Sequence, residues 1–374
     1  FGYGTVGSAV YDILTNTQHH HWPYIKMVVV RNIENYKNTP AYRDKLLIDN
    51  LEQAIQRLDD VDIVVEVMGG FTNSFRVIKT ALVAGKTVVT ANKLLISKAM
   101  PKLESLLKEG TSGRLFFEAS VCGGIPIIKS MQRDIQGSHH AFGVSEISGI
   151  MNGTCNFILS EMERLRAPFN TVLKQAQTNG YAEADPSSDI LGLDTLYKLN
   201  ILTRLGFGQN VLEQIDDAAY NGCVGIDQVH PVDFEYAAML RCKIKLLGTS
   251  KMVDGKLSFS VYPTLVPEED PIAQTNGVRN IVTVQHAHMG TVSMSGPGAG
   301  GDPTAHSVVS DILESMRNVD NASSPHWFGP VQQSCTLGAL KSRFYIRFTA
   351  TDQLGITEDV GKVCKQCDIN IHAM

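Results

Sequence analysis

Directly after its first residue the chain reads Gly2-Tyr3-Gly4-Thr5-Val6-Gly7, a G-x-G-x-x-G pattern that opens an apolar, helix-like segment from Val6 to Leu14. Glycines at these spacings allow a tight turn and let the backbone approach a pyrophosphate resting on the helix N-terminus. The stretch therefore predicts the phosphate loop of a dinucleotide-binding fold. Because such a loop follows a β-strand, we expect Phe1 to be the last residue of a strand whose earlier part is cut away.

Three apolar runs downstream support this fold. Ile25 to Val30 reads as a second parallel strand, Asp62 to Met68 as a buried strand closed by two glycines, and Thr87 to Thr90 as a further strand. A helical segment separates the last two runs, and such alternation is typical of a doubly wound sheet. We predict an α/β fold with a Rossmann-type parallel sheet.

Arg31 follows the second strand, where an NAD-specific site usually carries an acid for the ribose hydroxyls. Its guanidinium is better suited to a 2′-phosphate, which favours NADP, or use of both NADP and NAD. The alternative is that Arg31 is only a solvated strand end.

Two charged residues lie at or near strand ends of this sheet. Lys93 follows the strand Thr87 to Thr90, at the edge where ligands bind to such sheets, so we predict a functional role. Glu118 lies in an apolar run, Arg114 to Val121, that reads as a strand, and a carboxylate there needs a partner. That partner is either a hard cation held with carbonyl oxygens of the following glycine turn or a turn amide.

A second domain is predicted to begin at about Ile127, where the strand-glycine-helix rhythm stops. Val144 to Ile150 alternates with period two, as a half-exposed strand of an antiparallel or mixed sheet would. It leads through a polar turn into an apolar helix with Cys155 near its start. Cys155 is either a nucleophile at a helix N-terminus or, as we favour, a small buried residue, because no histidine lies nearby in sequence.

The stretch from Gly180 to Lys198 is the densest run of converging charge. Serines and Asp189 indicate a helix start, and from Ile190 onward the spacing of leucines is helical. Asp194 and Lys198 stand four residues apart and so share one face. Because this helix is too apolar for a solvated surface, we predict that its charges line a cleft together with Glu183, Asp185 and Asp189.

The glycine-rich character returns late in the chain. Gly296 to Ala305 precedes a predicted helix from His306 to Met316, and we expect the chain to come back here to a cofactor bound by the first domain. A tight structural turn is the alternative. Between these regions, a helix is predicted around Ala237 to Leu247.

The last segment reads as a separate, smaller unit after a polar loop, Asn318 to Pro330. Phe344 to Ala350 alternates like a strand, a helix follows, and Asp368 to His372 begins another strand, which makes half of a βαβ-type domain. Cys364 and Cys367 share a face of this helix. They are either a redox pair or, as we favour, two unpaired thiols.

Composition excludes some classes of protein. The 374-residue chain has a formal net charge of −5 and no basic block, which argues against a nucleic-acid partner. No apolar run approaches membrane-spanning length, and no signal-peptide pattern opens the chain. Seven scattered cysteines, an odd number, fit a reducing cytoplasm better than a disulfide framework.

Taken together, these stretches resemble the homoserine dehydrogenase family from Phe1 to about Leu340. The resemblance rests on the glycine loop, on Thr90-Ala91-Asn92-Lys93, on Glu118 with Val121-Cys122-Gly123-Gly124-Ile125-Pro126, on Asn152-Gly153-Thr154, on Gly180-Tyr181-Ala182-Glu183-Ala184-Asp185-Pro186 and on Gly192-Leu193-Asp194 with Lys198. It implies an NAD(P)-dependent oxidoreductase that interconverts L-homoserine and L-aspartate 4-semialdehyde in the biosynthesis of threonine, methionine and isoleucine.

The resemblance also implies roles for single residues. Lys198 would exchange the hydroxyl proton, with Asp194 holding substrate or a water and Lys93 beside cofactor and substrate. Glu183 would bind the substrate amine, and we expect Asp189 to bind substrate as well. The predicted cofactor-binding residues are Gly2, Gly4, Thr5, Val6, Gly7, Arg31, Lys93, Gly180 and Gly300. A sodium-type monovalent cation would lie among Glu118 and the carbonyls of Val121, Gly123 and Ile125.

The predicted domains are 1–126 for NAD(P) binding, 127–290 for substrate binding, catalysis and dimerisation, 291–340 for the return and linker, and 341–374 for a partial ACT domain. The family's ACT module senses an amino acid, so an effector such as threonine is expected, as is a homodimer. Two rival functions stay open: a phosphorylating semialdehyde dehydrogenase that uses Cys155, and a non-catalytic nucleotide or amino-acid sensor.

Overall fold

The first half of the chain is built around a parallel sheet. The computed structural model describes residues 1–17, 22–108, 111–135, 143–209, 211–213, 220, 222–317, 342–351 and 354–372. The chain divides into two compact units, Phe1–Gly338 and Ala339–Met374. Segments of the first half are α1 (Thr5–Asn16), β1 (Val28–Val29), α2 (Pro40–Arg43), β2 (Leu47–Ile48), α3 (Leu51–Gln56), β3 (Ile63–Glu66), α4 (Thr72–Val83), β4 (Thr87–Thr90), α5 (Lys93–Lys108), β5 (Arg114–Phe116) and α6 (Ile127–Ser130).

The parallel sheet has two hydrogen-bonded pieces, β1–β2 and β3–β4–β5, joined through the first residues of the chain. Phe1 donates its amine to Val65 O at 2.8 Å and accepts from Val67 N at 2.9 Å, while Gly2 N donates to Val29 O at 2.9 Å. Phe1 thus lies as an extended residue between the two pieces, as expected. A cavity of about 1020 Å³ is lined by residues of both pieces and by none of the predicted catalytic residues.

The glycine motif folds as predicted because only glycine fits two of its positions. Gly2 has φ +102°, and a β-carbon there would lie 2.6 Å from Val67 O. A β-carbon at Gly7 would lie 2.3 Å from Gly2 O. The turn therefore packs the start of α1 directly onto the sheet edge.

The second half of the first unit is built around an antiparallel sheet. Its segments are β6 (Val144–Ile150), α7 (Gly153–Leu165), α8 (Phe169–Thr178), α9 (Ser187–Ile190), α10 (Leu193–Phe207), α11 (Pro231–Met239), β7 (Cys242–Val253), β8 (Lys256–Pro267), β9 (Arg279–His286), β10 (Gly290–Pro297) and α12 (Gly301–Arg317). The strand order is β10-β9-β6-β7-β8.

Strand β6 confirms the predicted strand but not its predicted half-exposure. It is the central strand of five, and only its first residues reach solvent. Ile147 packs in the main apolar cluster, whereas Ile150 packs in a second one. Both faces of the strand are covered, so the alternating pattern did not mark a solvent face.

Helix α12 brings the chain back to the parallel sheet. Val308, Val309 and Ile312 of this helix form one buried cluster with Ala9 and Val10 of α1. The expected return of the chain is confirmed, although the helix begins five residues earlier than predicted.

Three local predictions were wrong. The strand predicted from Arg114 to Val121 ends at Phe116, and Glu118–Ser120 forms a 3-10 turn. The helix predicted from Ile190 onward is interrupted at Gly192, which has φ +84°. The helix predicted to Leu247 ends at Met239, and β7 begins at Cys242 because that segment pairs with β8 along its whole length.

The second unit contains helix α13 (Ile356–Gln366), as predicted. Neither predicted strand of this unit, Phe344 to Ala350 or Asp368 to His372, is formed in the described residues, where these segments are exposed. A strand needs a hydrogen-bonded neighbour, and the described part of this unit offers none. The loop predicted from Asn318 to Pro330 lies outside the described residues. No helix of the described chain has the length and apolar character that a membrane crossing requires.

Candidate active site

A buried carboxylate held between two lysines forms the centre of the candidate site. Lys93 Nζ lies 2.6 Å from Asp194 Oδ1, and Lys198 Nζ lies 2.7 Å from Asp194 Oδ2. Lys198 also donates to Met151 O at 2.7 Å. Asp194 and Lys198 are only 2% and 7% exposed, whereas the Lys93 side chain is 41% exposed. The site therefore has a dry interior and one lysine that reaches solvent.

Two helix starts place these groups. Lys93 is the first residue of α5, directly past the carboxyl end of β4, as the strand pattern predicted. Gly192 interrupts the chain between α9 and α10, so Asp194 falls in the first turn of α10 and Lys198 one turn later. The predicted pairing of Asp194 with Lys198 is confirmed.

Asn152 joins both aspartates of the site. Its Nδ2 donates to Asp189 Oδ1 at 2.7 Å and to Asp194 Oδ2 at 2.8 Å. Its Oδ1 accepts from Cys155 N at 2.8 Å and so caps α7. No sequence pattern indicated this contact, because residues 152, 189 and 194 meet only in the folded chain.

The charged groups of the site shift one another's pKa values. Burial alone would raise the pKa of Asp194, but Lys198 and Lys93 outweigh burial and hold that pKa well below its ordinary value. Asp194 in turn raises the pKa of Lys93, with smaller contributions from Asp189 and Glu183. Burial and the neighbouring Asp194 raise the pKa of Asp189. The two aspartates therefore occupy different electrostatic environments.

Glu183 and Gly180 lie on the loop after α8. Glu183 is exposed, and its charge acts on Lys93, which places it at the open side of the site. Gly180 has φ +74°, and nothing lies within 4 Å of where its β-carbon would be. The loop is tied down by Thr154, whose hydroxyl donates to Tyr181 O at 2.7 Å.

The predicted nucleotide-binding residues at the start of α1 meet the start of α12. A β-carbon at Gly301 would lie 3.2 Å from Thr5 O, so the two helix starts lie side by side. Gly300 has φ +114° and lacks a side chain that could cover this surface, and Gly4 has open space beside it. Backbone amides at a glycine-lined helix start fit a pyrophosphate. Arg31 is exposed just beyond β1.

Glu118 has its partners in backbone amides, one of the two alternatives from sequence. Its carboxylate accepts from Ile128 N at 2.9 Å and Lys129 N at 2.8 Å, at the start of α6. Burial, and secondly Asp311, raise the pKa of Glu118 to about 7. The Glu118 amide donates to Asp311 Oδ2 at 2.9 Å.

The predicted carbonyl ligands are partly engaged. Gly123 O accepts from the Ser307 hydroxyl at 2.7 Å, and Ile125 O accepts from Ile127 N at 2.8 Å. Each carbonyl keeps a second lone pair. In the described part of the chain no group of three or more His, Cys, Asp or Glu could hold a metal ion, so any cation here would depend on backbone carbonyls.

Cys155 is a buried structural residue, as favoured from the sequence. Its side chain is inaccessible, and its Sγ donates to Asp189 O at 3.1 Å. Burial, with the charges of Asp189 and Asp194, raises the pKa of this thiol well above its ordinary value. A reactive cysteine needs the opposite environment, which removes the main support for the phosphorylating dehydrogenase.

Comparisons with known proteins match the chain to one family. Residues 2–118 match the family model described as the NAD binding domain of homoserine dehydrogenase, and residues 126–313 match the homoserine dehydrogenase model. The Helicobacter pylori homoserine dehydrogenase is 35% identical in an alignment that covers 99% of this chain and 86% of that protein.

Solved structures give the same result. The homoserine dehydrogenase of Thiobacillus denitrificans has a TM-score of 0.84 and 32% identity, covering all of this chain and 86% of that one. The enzyme of S. aureus has a TM-score of 0.70 and 33% identity, covering 84% of this chain and 74% of that one.

Proposed function

This chain belongs to the homoserine dehydrogenase family, and we propose that Lys198, Asp194 and Lys93 carry its reaction. The enzyme is an oxidoreductase acting on a CH–OH group, which interconverts L-homoserine and L-aspartate 4-semialdehyde with NAD(P). The observation that carries the proposal is the buried carboxylate of Asp194 within hydrogen-bond distance of both lysines.

Lys198 is the group suited to exchange the substrate proton. The bound cofactor supplies or accepts the hydride at the substrate carbon. When the aldehyde is reduced, its oxygen gains a proton, and the Lys198 ammonium paired with Asp194 is a ready donor for it. When homoserine is oxidised, the same nitrogen must be neutral to accept the hydroxyl proton.

The other charged residues suit binding and orientation. Lys93 reaches solvent at the open side of the site, where it can contact substrate beside the cofactor. Glu183, exposed on the same side, is suited to bind the substrate amine, and Asp189 supports this end of the site through Asn152. Opposite charges on Lys93 and Glu183 match an amino-acid substrate, which carries both signs.

Replacement of Lys198 tests this assignment. We expect Lys198→Met to lower kcat for homoserine oxidation by at least about 10²-fold, the range expected for loss of a positioned proton donor or acceptor. Binding of NADPH, measured by fluorescence, should persist. Lys243→Met is the matched control, because Lys243 forms an ion pair with Glu163 outside the site. Normal turnover of the Lys198 variant would refute the assignment.

We also propose that NADP is preferred over NAD. The support is Arg31, an exposed guanidinium directly past β1, at the position where NAD-specific sites usually carry an acid. Arg31→Ala should lower kcat/KM for NADP by at least tenfold and leave kcat/KM for NAD within about twofold, because only the 2′-phosphate contact is lost. An equal loss for both cofactors would contradict the preference.

A monovalent cation of the sodium type is proposed beside Glu118. Carboxylate and carbonyl oxygens suit a hard cation, and the buried Glu118 and Asp311 leave a local excess of negative charge that Lys129 offsets only in part. Ligands would be Glu118 and the carbonyls of Val121, Gly123 and Ile125. Sodium chloride should raise the Tm more than choline chloride at equal ionic strength, and Glu118→Gln should remove that difference. An unchanged difference in the variant would refute the site.

We propose that residues 341–374 belong to an ACT module that senses an amino acid, that the enzyme is a homodimer, and that it works in the reducing cytoplasm. The support is helix α13, the family likeness and the free thiols of the described cysteines. Threonine inhibition of turnover and light-scattering mass test the first two, and a monomeric mass would contradict the dimer.

A further inference from the structure

Helices α5 and α10 bring the two lysines of the site together, and two further polar contacts join these helices beneath it. Asn200 Nδ2 donates to Ser97 Oγ at 3.1 Å and to Ser97 O at 3.3 Å. Arg204 Nε donates to Glu104 Oε1 at 2.9 Å. All four side chains are buried. We call the contacts Asn200–Ser97 and Arg204–Glu104 the polar seam.

The order of the contacts fixes the relation of the two helices. Along α5 the contacting residues are 93, 97 and 104, and along α10 they are 194, 200 and 204. Both series ascend from the site, so the helices run in the same direction. From first contact to last, each helix advances about 15 Å at 1.5 Å per residue. The seam and the contact between Lys93 and Asp194 together therefore tie the helices over this length.

Polar contacts specify this register more sharply than the apolar packing around them. Leu95, Ile96, Leu196 and Leu199 are fully buried in the same cluster, and leucine-rich faces tolerate small shifts. A buried amide or charge loses its partner when the helices slide, which costs more than an imperfect apolar contact. Asn200 is held especially firmly, because its Oδ1 also accepts from Val211 N and Leu212 N.

We propose that the polar seam is a positioning device that sets α5 against α10 and so holds Lys93 Nζ at Asp194. Ser97, Glu104, Asn200 and Arg204 touch neither substrate nor cofactor in this arrangement; they act through Lys93. The inference rests on the proposed role of Lys93 and Asp194 in the reaction. It adds that the contact between them depends on residues up to eleven positions away along α5.

The test measures Lys93 directly as well as turnover. Asp194 raises the pKa of Lys93, so a loosened seam should leave Lys93 more often neutral and more reactive. In Asn200→Ala, reductive methylation of Lys93 at pH 9, followed by peptide mass spectrometry on the ligand-free protein, should become at least threefold faster. We expect kcat to fall about tenfold or more, with KM for NADPH within about twofold.

A second variant and a control keep the outcomes separate. Ser97→Ala removes one acceptor and leaves only a buried methyl group, so it reports on the seam even if Asn200→Ala does not fold. Thr203→Val is the matched control, because this residue lies on α10, is fully buried and has a hydroxyl without a hydrogen-bond partner among the described residues. It should change neither labelling nor kcat.

Different results would refute the positioning role of the polar seam and the catalytic role of Lys93. Unchanged Lys93 labelling in a folded Asn200→Ala, or in Ser97→Ala where the first does not fold, would overturn the seam. Faster labelling with an unchanged kcat would support the seam and instead refute the role proposed for Lys93.

Discussion

Asn152 is the residue on which the two aspartates of the site depend. One amide group donates to both Asp189 and Asp194, and the carbonyl of the same side chain caps α7. The cap and the bridge are separable functions, because serine can also cap a helix but cannot donate two hydrogen bonds to carboxylates.

Asn152→Ser should therefore lower kcat about 10- to 100-fold, since Asp194 loses a neutral donor that helps to orient it toward Lys198. The free energy of unfolding should fall by less than about 1 kcal/mol, because the cap is kept. Steady-state kinetics and urea denaturation measure both quantities. A variant that loses stability without losing kcat would show that Asn152 acts only as a cap.

Lys245 is a buried lysine that forms no ion pair with the described residues. It donates to Thr275 O at 2.8 Å and to Asn276 Oδ1 at 2.9 Å, and its side chain is fully enclosed. Burial lowers its pKa to about 8, with Glu163 opposing this shift. The folded protein then releases this proton at lower pH than the unfolded chain does.

Stability should consequently rise as pH increases from about 8 toward the ordinary value of 10.5. A shift of this size corresponds to roughly 3 kcal/mol at full development. Other groups titrate in the same range, so the difference between the native enzyme and Lys245→Met isolates the contribution. Parallel pH profiles for the two proteins would contradict the predicted linkage.

Sequence reasoning identified the residues of the site that follow local rules. Lys93 was predicted from its place past a strand, and Lys198 from its spacing to Asp194. The contacts of Asn152 with Asp189 and of Asp311 with the Glu118 amide had no such signal, because each joins residues 37 or more positions apart along the chain. Glu118 was expected to have a partner, but the sequence left open whether that partner was a cation or an amide.

At the scale of an element, the break between α9 and α10 sets the position of Asp194. The spacing of leucines runs through this break without interruption, so sequence periodicity predicted one helix. Gly192 carries the break, and a β-carbon there would lie 3.1 Å from Val261 Cγ1 and 3.2 Å from Cys223 Sγ. The helix ends here because of backbone geometry and crowding that periodicity does not report.

Gly192→Ala should destabilise the enzyme by more than the strain of a positive φ alone, which is about 1 to 2 kcal/mol. Turnover should also fall, because the first turn of α10 holds Asp194. Gly255→Ala is the matched control: its φ is +74° and nothing lies near its β-carbon position. Equal losses of stability and activity in the two variants would mean that the break has no special role.

The segment around Ala237 to Leu247 was predicted as a helix, but most of it is not helical. Its residues fit a helix locally, yet Cys242–Val253 forms a strand paired with β8 and β6. Pairing with distant strands outweighed local preference. Only Ala237–Met239 of that segment is helical, as the last residues of α11.

At the scale of the whole first unit, the parallel-sheet half includes a helix from much later in the sequence, α12, which packs on α1. Val308 of α12 is fully buried against α1. Val308→Ala should lower the free energy of unfolding by about 2 kcal/mol, through two lost methyl groups and the space they leave.

The same change should weaken NADPH binding, because α12 begins beside the glycine turn of α1. Val232→Ala, at a partly exposed position on α11, should stay within about 0.5 kcal/mol of the native enzyme. Calorimetric titration with NADPH and thermal unfolding measure the two effects. If the destabilised Val308 variant kept its NADPH affinity, the packing of α12 would have no effect on the cofactor site, contrary to this prediction.

The contact between α1 and α12 also has a consequence in time. Ala9 and Val10 leave the ribosome about 300 residues before Val308 and Val309 do. At 5 to 20 residues per second, the apolar face of α1 stays exposed for roughly 15 to 60 s before α12 is synthesised. Until α12 is synthesised, a nascent chain of this enzyme thus has an incomplete nucleotide-binding half, and chaperones can bind its exposed apolar face during that interval.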